Sequence, residues 1–419
     1  MSCSYGPGRY DDNYENKGQD YPIRFVRWTA KINFETILYA LSVGTLDVKP
    51  LISEIVDLPD YNNIYGDMKK KGVIASILKY PDNVEHQVTI KASTTNFVAS
   101  TSKLGIIGAG NFTSATMIPA LQKAKACIKY IASAQGLSAK TLAKKVNAEY
   151  ATSDYQTMLN DSEVGLVLIT TRHNLHAKMV LDCLKAKKSV FVEKPLCLNV
   201  EELASIQEAY EANDNTTITV GFNRRFSPFA TKMKELVGNS TMNIIATMNA
   251  GSIPPEVWVH DMQIGGGRII GEACHFIDLC SFLAGSKVVS VCMNAMGHNP
   301  MENADNASII LKYANGTNAT INYFSNGSKS YSKERVEIYS QERTLILDNG
   351  KSLKGYGFKG FSTMKSGQDK GHNSQFALLN ERVKTGGNAL ISFDSIANTT
   401  KASFACVESL KTKRWIDIA

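Results

Sequence analysis

Glu193-Lys194-Pro195 closes an apolar run, Ser189-Val190-Phe191-Val192, downstream of the glycine turn Gly108-Ala109-Gly110. A carboxylate and an ammonium at a strand end, on the same edge as a turn that can cradle phosphates, make one side of a dinucleotide-dependent site. An ammonium beside a C–O bond stabilises the alkoxide that develops as hydride leaves carbon, so the chemistry implied is redox.

Gly108-Ala109-Gly110-Asn111-Phe112-Thr113 follows a short apolar strand and opens a helix, the setting that dinucleotide binding requires. The first glycine permits the tight turn, and the second lets the backbone approach a pyrophosphate lying on helix N–H groups. Thr113 stands where a third glycine is usual. The next strand ends Ile131-Ala132-Ser133-Ala134-Gln135, with no carboxylate to bind the adenosine ribose, so the choice between NAD and NADP stays open. Ser133 can bond a ribose hydroxyl or a 2'-phosphate.

The elements that must hold these residues fall into three segments. Residues 101–220 alternate strand (104–107, 127–132, 165–170) with helix (115–124, 139–146, 176–186), which gives a parallel doubly wound sheet of Rossmann type. Pro119 marks a kink in the first helix. From residue 221 the rhythm changes to strands at 243–248, 288–294, 307–313, 317–323, 335–339 and 344–347, separated by turns such as Asn315-Gly316 and Asn349-Gly350. The fold class is therefore α/β: a Rossmann domain, then an α+β domain over 221–419 with a large, mostly antiparallel open sheet, closed by a helix over 395–411. Residues 1–98 form a separate segment, with a helical period over Phe34–Leu41 stopped near Gly44.

Composition sets the outer bounds. The chain has 419 residues, 43% of them hydrophobic and 20% charged, an ordinary globular balance. Its net charge of +7 is spread over many segments, Lys69-Lys70-Lys71 among them, and spreading of this kind argues against nucleic-acid binding. Eight cysteines, Cys3 among them, show no C-x-x-C pair and no zinc spacing, so reduced thiols, no metal and a cytoplasmic protein are expected. No signal peptide, membrane-spanning run or membrane partner is expected.

Five ordered motifs carry a resemblance. They are the glycine loop, the turn Thr170-Thr171-Arg172-His173-Asn174-Leu175-His176, Glu193-Lys194-Pro195, Gly221-Phe222-Asn223-Arg224-Arg225-Phe226-Ser227-Pro228, and the run from Gly265-Gly266-Gly267 to His275 and Asp278. Together they resemble the glucose-fructose oxidoreductase and inositol dehydrogenase (Gfo/Idh/MocA) family. The resemblance implies that NAD(P) is held by Gly108, Gly110, Asn111, Phe112, Thr113, Ser133, Thr170, Asn174, His176, Glu193 and Lys194. It makes Lys194 the group on the reacting hydroxyl and His275 the general base. His275 and Asp278, three apart on a helix, share a face, so the carboxylate can orient the ring. The family often has an aspartate where this chain has Gly271, and Glu272 beside it can supply a carboxylate only from a position rotated by about 100°. Arg224, Arg225 and Trp258 are expected at the substrate. Within 1–98, Leu46-Asp47-Val48-Lys49-Pro50-Leu51-Ile52 resembles the tail of zinc-type medium-chain alcohol dehydrogenases, the remnant of a two-module oxidoreductase.

The function expected is hydride transfer between nicotinamide and a hydroxyl-bearing carbon of a sugar, cyclitol or nucleotide-linked sugar, in a homo-oligomer. The alternatives are NAD-dependent glycoside hydrolysis with internal redox recycling, and a non-catalytic cofactor-binding regulator or scaffold.

Overall fold

The computed structural model describes residues 6–66, 72–81, 88–92, 103–213 and 216–418; Cys3 and Lys69-Lys70-Lys71 lie outside them. The chain divides into two compact units, residues 1–86 and 87–419.

In the first unit, helix α1 (Ala30–Ser42) contains the expected helical stretch and is capped by the Thr29 side chain, which accepts from the Ile32 N–H. Strand β1 (Ile52–Asp57) pairs in parallel with β2 (Ala75–Lys79). The strand begins only at Ile52, because Lys49–Leu51 forms a single tight turn around Pro50, whose fixed φ suits a turn. None of the described apolar side chains of this unit is buried.

The second unit starts with β3 (Thr89–Lys91), which pairs antiparallel with β6 (Tyr150–Thr152), so its first sheet begins upstream of the segment boundary expected near residue 98. That sheet also contains β4 (Lys103–Ile107), β5 (Cys127–Ala132), β7 (Val164–Ile169), β8 (Ser189–Val192) and β9 (Ile218–Val220), in the order β3-β6-β5-β4-β7-β8-β9. From β5 to β9 all neighbours run parallel, with β4 between β5 and β7. Strands covered on both faces read as continuous apolar runs, and β4 is buried at all five residues. The order reverses at β4, and the glycine loop leaves from its carboxyl end, where ligands of such sheets bind.

Helices α2 (Ile118–Lys123), α3 (Gly136–Val146), α4 (His176–Lys185) and α5 (Val200–Glu211) alternate with these strands. The first is shorter than its apolar period suggests. Thr113–Met117 winds as a π-helix, and Pro119, lacking an N–H, sits in the first turn of α2.

After α6 (Pro228–Val237) the second sheet is built from β10 (Asn243–Asn249), β11 (Val288–Ala295), β12 (Asn306–Tyr313), β13 (Asn318–Phe324), β14 (Glu334–Ser340), β15 (Arg343–Asp348), β16 (Ser352–Tyr356), β17 (Thr363–Lys365) and β18 (Ile416–Asp417). Every pairing is antiparallel except β10 with β13. One face alternates inward: Ala307, Ile309, Leu311 and Tyr313 of β12 are buried, as are Ala319, Ile321 and Tyr323 of β13. Helix α7 (Cys274–Ala284), buried at every residue except Phe282, shares the hydrophobic core with that face, as do buried residues of α9 (Phe393–Thr412). Helix α8 (His372–Thr385) precedes α9 and packs against α2. Among the described residues no helix is long and apolar enough to cross a membrane, and the described cysteines are free thiols.

Candidate active site

The glycine loop is shaped by backbone constraints. Gly108 has φ +112°, and a Cβ there would lie 2.6 Å from Thr170 Oγ1. Thr113 shows why a third glycine is dispensable: its buried hydroxyl donates to the Gly108 carbonyl at 2.9 Å and meets the Thr170 hydroxyl at 2.7 Å. Both threonines therefore brace the loop from beneath. Above Gly110 there is open space, with nothing within 4 Å of an added Cβ, so the residues present leave the room a pyrophosphate needs. Phe112 turns its ring to His372, 6.0 Å between centroids. Ser133 accepts from the Ser138 hydroxyl at 2.9 Å at the end of β5.

Lys194 follows β8 and reaches across to α7's approach, where its Nζ donates to the Gly271 carbonyl at 2.8 Å. Gly271 lies in a second π-wound stretch, Ile269–Ala273, which leads into α7. Glu193 is half-buried against Gly221, whose Cβ would lie 2.6 Å from Glu193 Oε1, and desolvation pushes its carboxyl up to about 7. Its carboxylate accepts from the Lys194 N–H at 3.3 Å.

His176 is fully buried, with Nδ1 2.7 Å from the Pro195 carbonyl and Nε2 3.2 Å from the Thr171 carbonyl. It ties the turn after β7 to the Glu193-Lys194-Pro195 turn, with both ring nitrogens set against backbone carbonyls. Asn174 is exposed, its N–H donating to the Ile264 carbonyl at 3.1 Å.

His275 is buried, and its Nδ1 has no hydrogen-bond partner. Burial and the positive charges of Arg224 and Lys194 hold the ring well below the usual imidazole range, so it is neutral near pH 7. Asp278 does not orient it. Arg225 takes both Asp278 oxygens, at 2.5 and 3.0 Å. Arg224 likewise grips Glu334 at 2.8 and 3.1 Å, and Lys370 adds a contact at 2.6 Å. Burial opposes the Glu334 charge, yet Arg224 and Lys370 hold its carboxyl down at about 2. Both arginine forks expected at the substrate are thus filled by protein carboxylates, which link the segment after β9 to α7 and to β14. Glu272 is paired with Arg268 at 3.0 Å and accepts a short hydrogen bond from the Tyr323 hydroxyl. Burial raises its pKa, but Lys194 leads the interactions that bring it below the usual range.

Sequence reasoning passed over His173. Its Nδ1 lies 2.7 Å from the Gly265 carbonyl, and its ring stands edge-on to Trp258 at 4.8 Å. Arg172 lies over the same indole at 5.7 Å. Trp258 therefore packs on a site histidine. The available signal was His173 itself, inside the Thr170–His176 motif; nothing in the sequence paired it with Gly265 or Trp258.

Comparison with known proteins identifies the family and the fold. Residues 102–222 match the oxidoreductase family with an NAD-binding Rossmann fold, and residues 240–346 match the GFO/IDH/MocA C-terminal domain. The chain is 30% identical over 258 residues to the uncharacterized oxidoreductase YrbE of Bacillus subtilis, covering 59% of this chain and 74% of that one. It is 28% identical over 214 residues to the myo-inositol 2-dehydrogenase of Thermotoga maritima, covering 49% of this chain and 63% of that one. A levoglucosan dehydrogenase solved with NADH and levoglucosan shares the fold, with TM-score 0.66 and 21% identity over 75% of this chain and 99% of that one. The protein is thus an NAD(P)-dependent oxidoreductase, and the chain belongs to the Gfo/Idh/MocA family.

Proposed function

We propose that the protein oxidises or reduces a hydroxyl-bearing ring carbon of a sugar, cyclitol or nucleotide-linked sugar. The observation that carries this reading is Lys194, whose ammonium is fixed by the Gly271 carbonyl beside the mouth of the glycine loop's sheet. The nicotinamide, when bound, accepts or gives the hydride. Gly108, Gly110, Asn111 and Phe112 would hold its dinucleotide, with Thr113 and Thr170 bracing the loop. Lys194 would bind the substrate oxygen and stabilise negative charge on it as the C–H bond breaks. His275, whose Nδ1 is buried without a partner, would take the hydroxyl proton through Nε2. Relatives named inositol and levoglucosan dehydrogenases support a polyol or sugar as substrate.

The same proposal assigns residues 101–220 to cofactor binding and 221–419 to the substrate and to self-association through the open sheet face, in a cytoplasmic homo-oligomer. The part of the 1–98 segment that lies in the first compact unit is assigned to the tail of a medium-chain dehydrogenase module. An exposed apolar helix and, among the described residues, an isolated pair of parallel strands support that assignment, since parallel strands normally lie within a covered sheet.

The test is the absorbance of reduced nicotinamide with a panel of cyclitols, sugars and sugar nucleotides, using both NAD and NADP. Lys194→Ala should lower kcat by about 100- to 1,000-fold. Undiminished turnover in that variant would remove the assigned role, and release of a glycosidic leaving group without net NADH would replace dehydrogenation by hydrolysis.

A further inference from the structure

Gly271 has contacts on two sides. Its carbonyl holds the Lys194 ammonium at 2.8 Å. Its missing side chain leaves a space that His173 enters: a Cβ on residue 271 would lie 3.0 Å from His173 Cε1 and 3.3 Å from its Nδ1. The imidazole and the ammonium therefore flank one glycine.

The tautomer of His173 follows from its partner. The Gly265 carbonyl can only accept, so Nδ1 carries the hydrogen. Burial and the neighbouring Lys194 charge lower the ring's pKa to about 3, so near pH 7 Nε2 is a bare acceptor. Among the described residues Nε2 has no protein hydrogen bond, and it is not among the sealed, unpartnered atoms, so it is open to a ligand. Trp258, edge-on at 4.8 Å, and the Gly265 bond fix the plane of the ring. A fixed neutral acceptor close to a fixed cationic donor matches two adjacent hydroxyls on one ring: one oxygen meets the ammonium, and the other hydroxyl donates to the imidazole.

We propose that His173 is a specificity-determining residue whose Nε2 accepts a hydrogen bond from the substrate hydroxyl next to the reacting one, which makes the substrate class a vicinal diol. This rests on the role given to Lys194 above. The ring's contribution is to hold the substrate, and the proton goes to His275 as above.

The test compares the full-length wild type, His173→Asn and His173→Gln with NAD or NADP on paired probes. Myo-inositol and glucose are each set beside the deoxy analogue that lacks the hydroxyl next to the reacting carbon. Asparagine can keep the bond to Gly265 while losing the acceptor; glutamine places an acceptor near the former Nε2. The readout is the ratio of kcat/KM for diol over deoxy analogue, because a merely structural loss lowers both and leaves the ratio unchanged. The ratio should fall about 10-fold in His173→Asn, mostly through KM, and be largely retained in His173→Gln. Tryptophan-to-NADH energy transfer checks that each variant still folds and binds cofactor. An unchanged ratio in His173→Asn, or equal loss in both variants, overturns this proposal alone. A wild type that binds NADH yet turns over none of the probes overturns the Lys194 reading and this proposal with it.

Discussion

At the scale of single residues, the site's charges divide into those spent on the protein and those left for chemistry. Arg224 and Arg225 are spent, one on Glu334 and the other on Asp278. Burial raises the Asp278 pKa and Arg225 opposes it, so the guanidinium is what allows a charge at a fully buried position. Arg225→Ala should therefore destabilise the protein by about 3–5 kcal/mol, because it leaves an uncompensated buried carboxylate, and urea denaturation measures this. A loss of less than about 1 kcal/mol would place the pair among exposed ion pairs. The sequence disclosed these residues and their chemistry but not their partners. Arg224 and Glu334 are far apart in the chain, and only the tertiary fold brings them within 2.8 Å.

At the scale of elements, the two π-wound stretches adjoin the candidate site: Thr113–Met117 follows the glycine loop and Ile269–Ala273 precedes α7. The second aims the Gly271 carbonyl at Lys194. Gly271→Ala should crowd His173 Cε1 at 3.0 Å and the Gly265 carbonyl oxygen at 3.1 Å. We expect kcat/KM to fall about 10-fold or more while NADH affinity stays near wild type, since the clash moves the substrate side and leaves the glycine loop alone. Steady-state kinetics paired with NADH titration checks this, and an equal loss in both would point to general disruption. Strand positions were legible because buried parallel strands are apolar throughout and the second sheet alternates. The parallel pairing of β10 with β13 was not, because alternation is the same whichever way the neighbour runs.

At the scale of the whole molecule, the desolvated carboxyl of the half-buried Glu193 couples site and stability. Its pKa rises from 4.5 to about 7 on folding, so between those values the folded state holds a proton that the unfolded chain has released. Its contribution is complete below 4.5 and is lost as the pH rises through about 7. Glu193→Gln, which cannot ionise, should flatten the cofactor-free protein's Tm profile across that window; parallel profiles would show that Glu193 does not titrate there. The sequence by itself determined the order of motifs, the change from parallel to antiparallel rhythm and the identity of Lys194, because local periodicity and short glycine-rich turns are written in neighbouring residues. The tertiary structure alone decided that Asp278 serves Arg225 rather than His275, that His176 is a buried strut, and that His173 fills the space beside Gly271. Those outcomes depend on which distant side chains compete for each buried polar atom, and that competition is settled only when the elements pack.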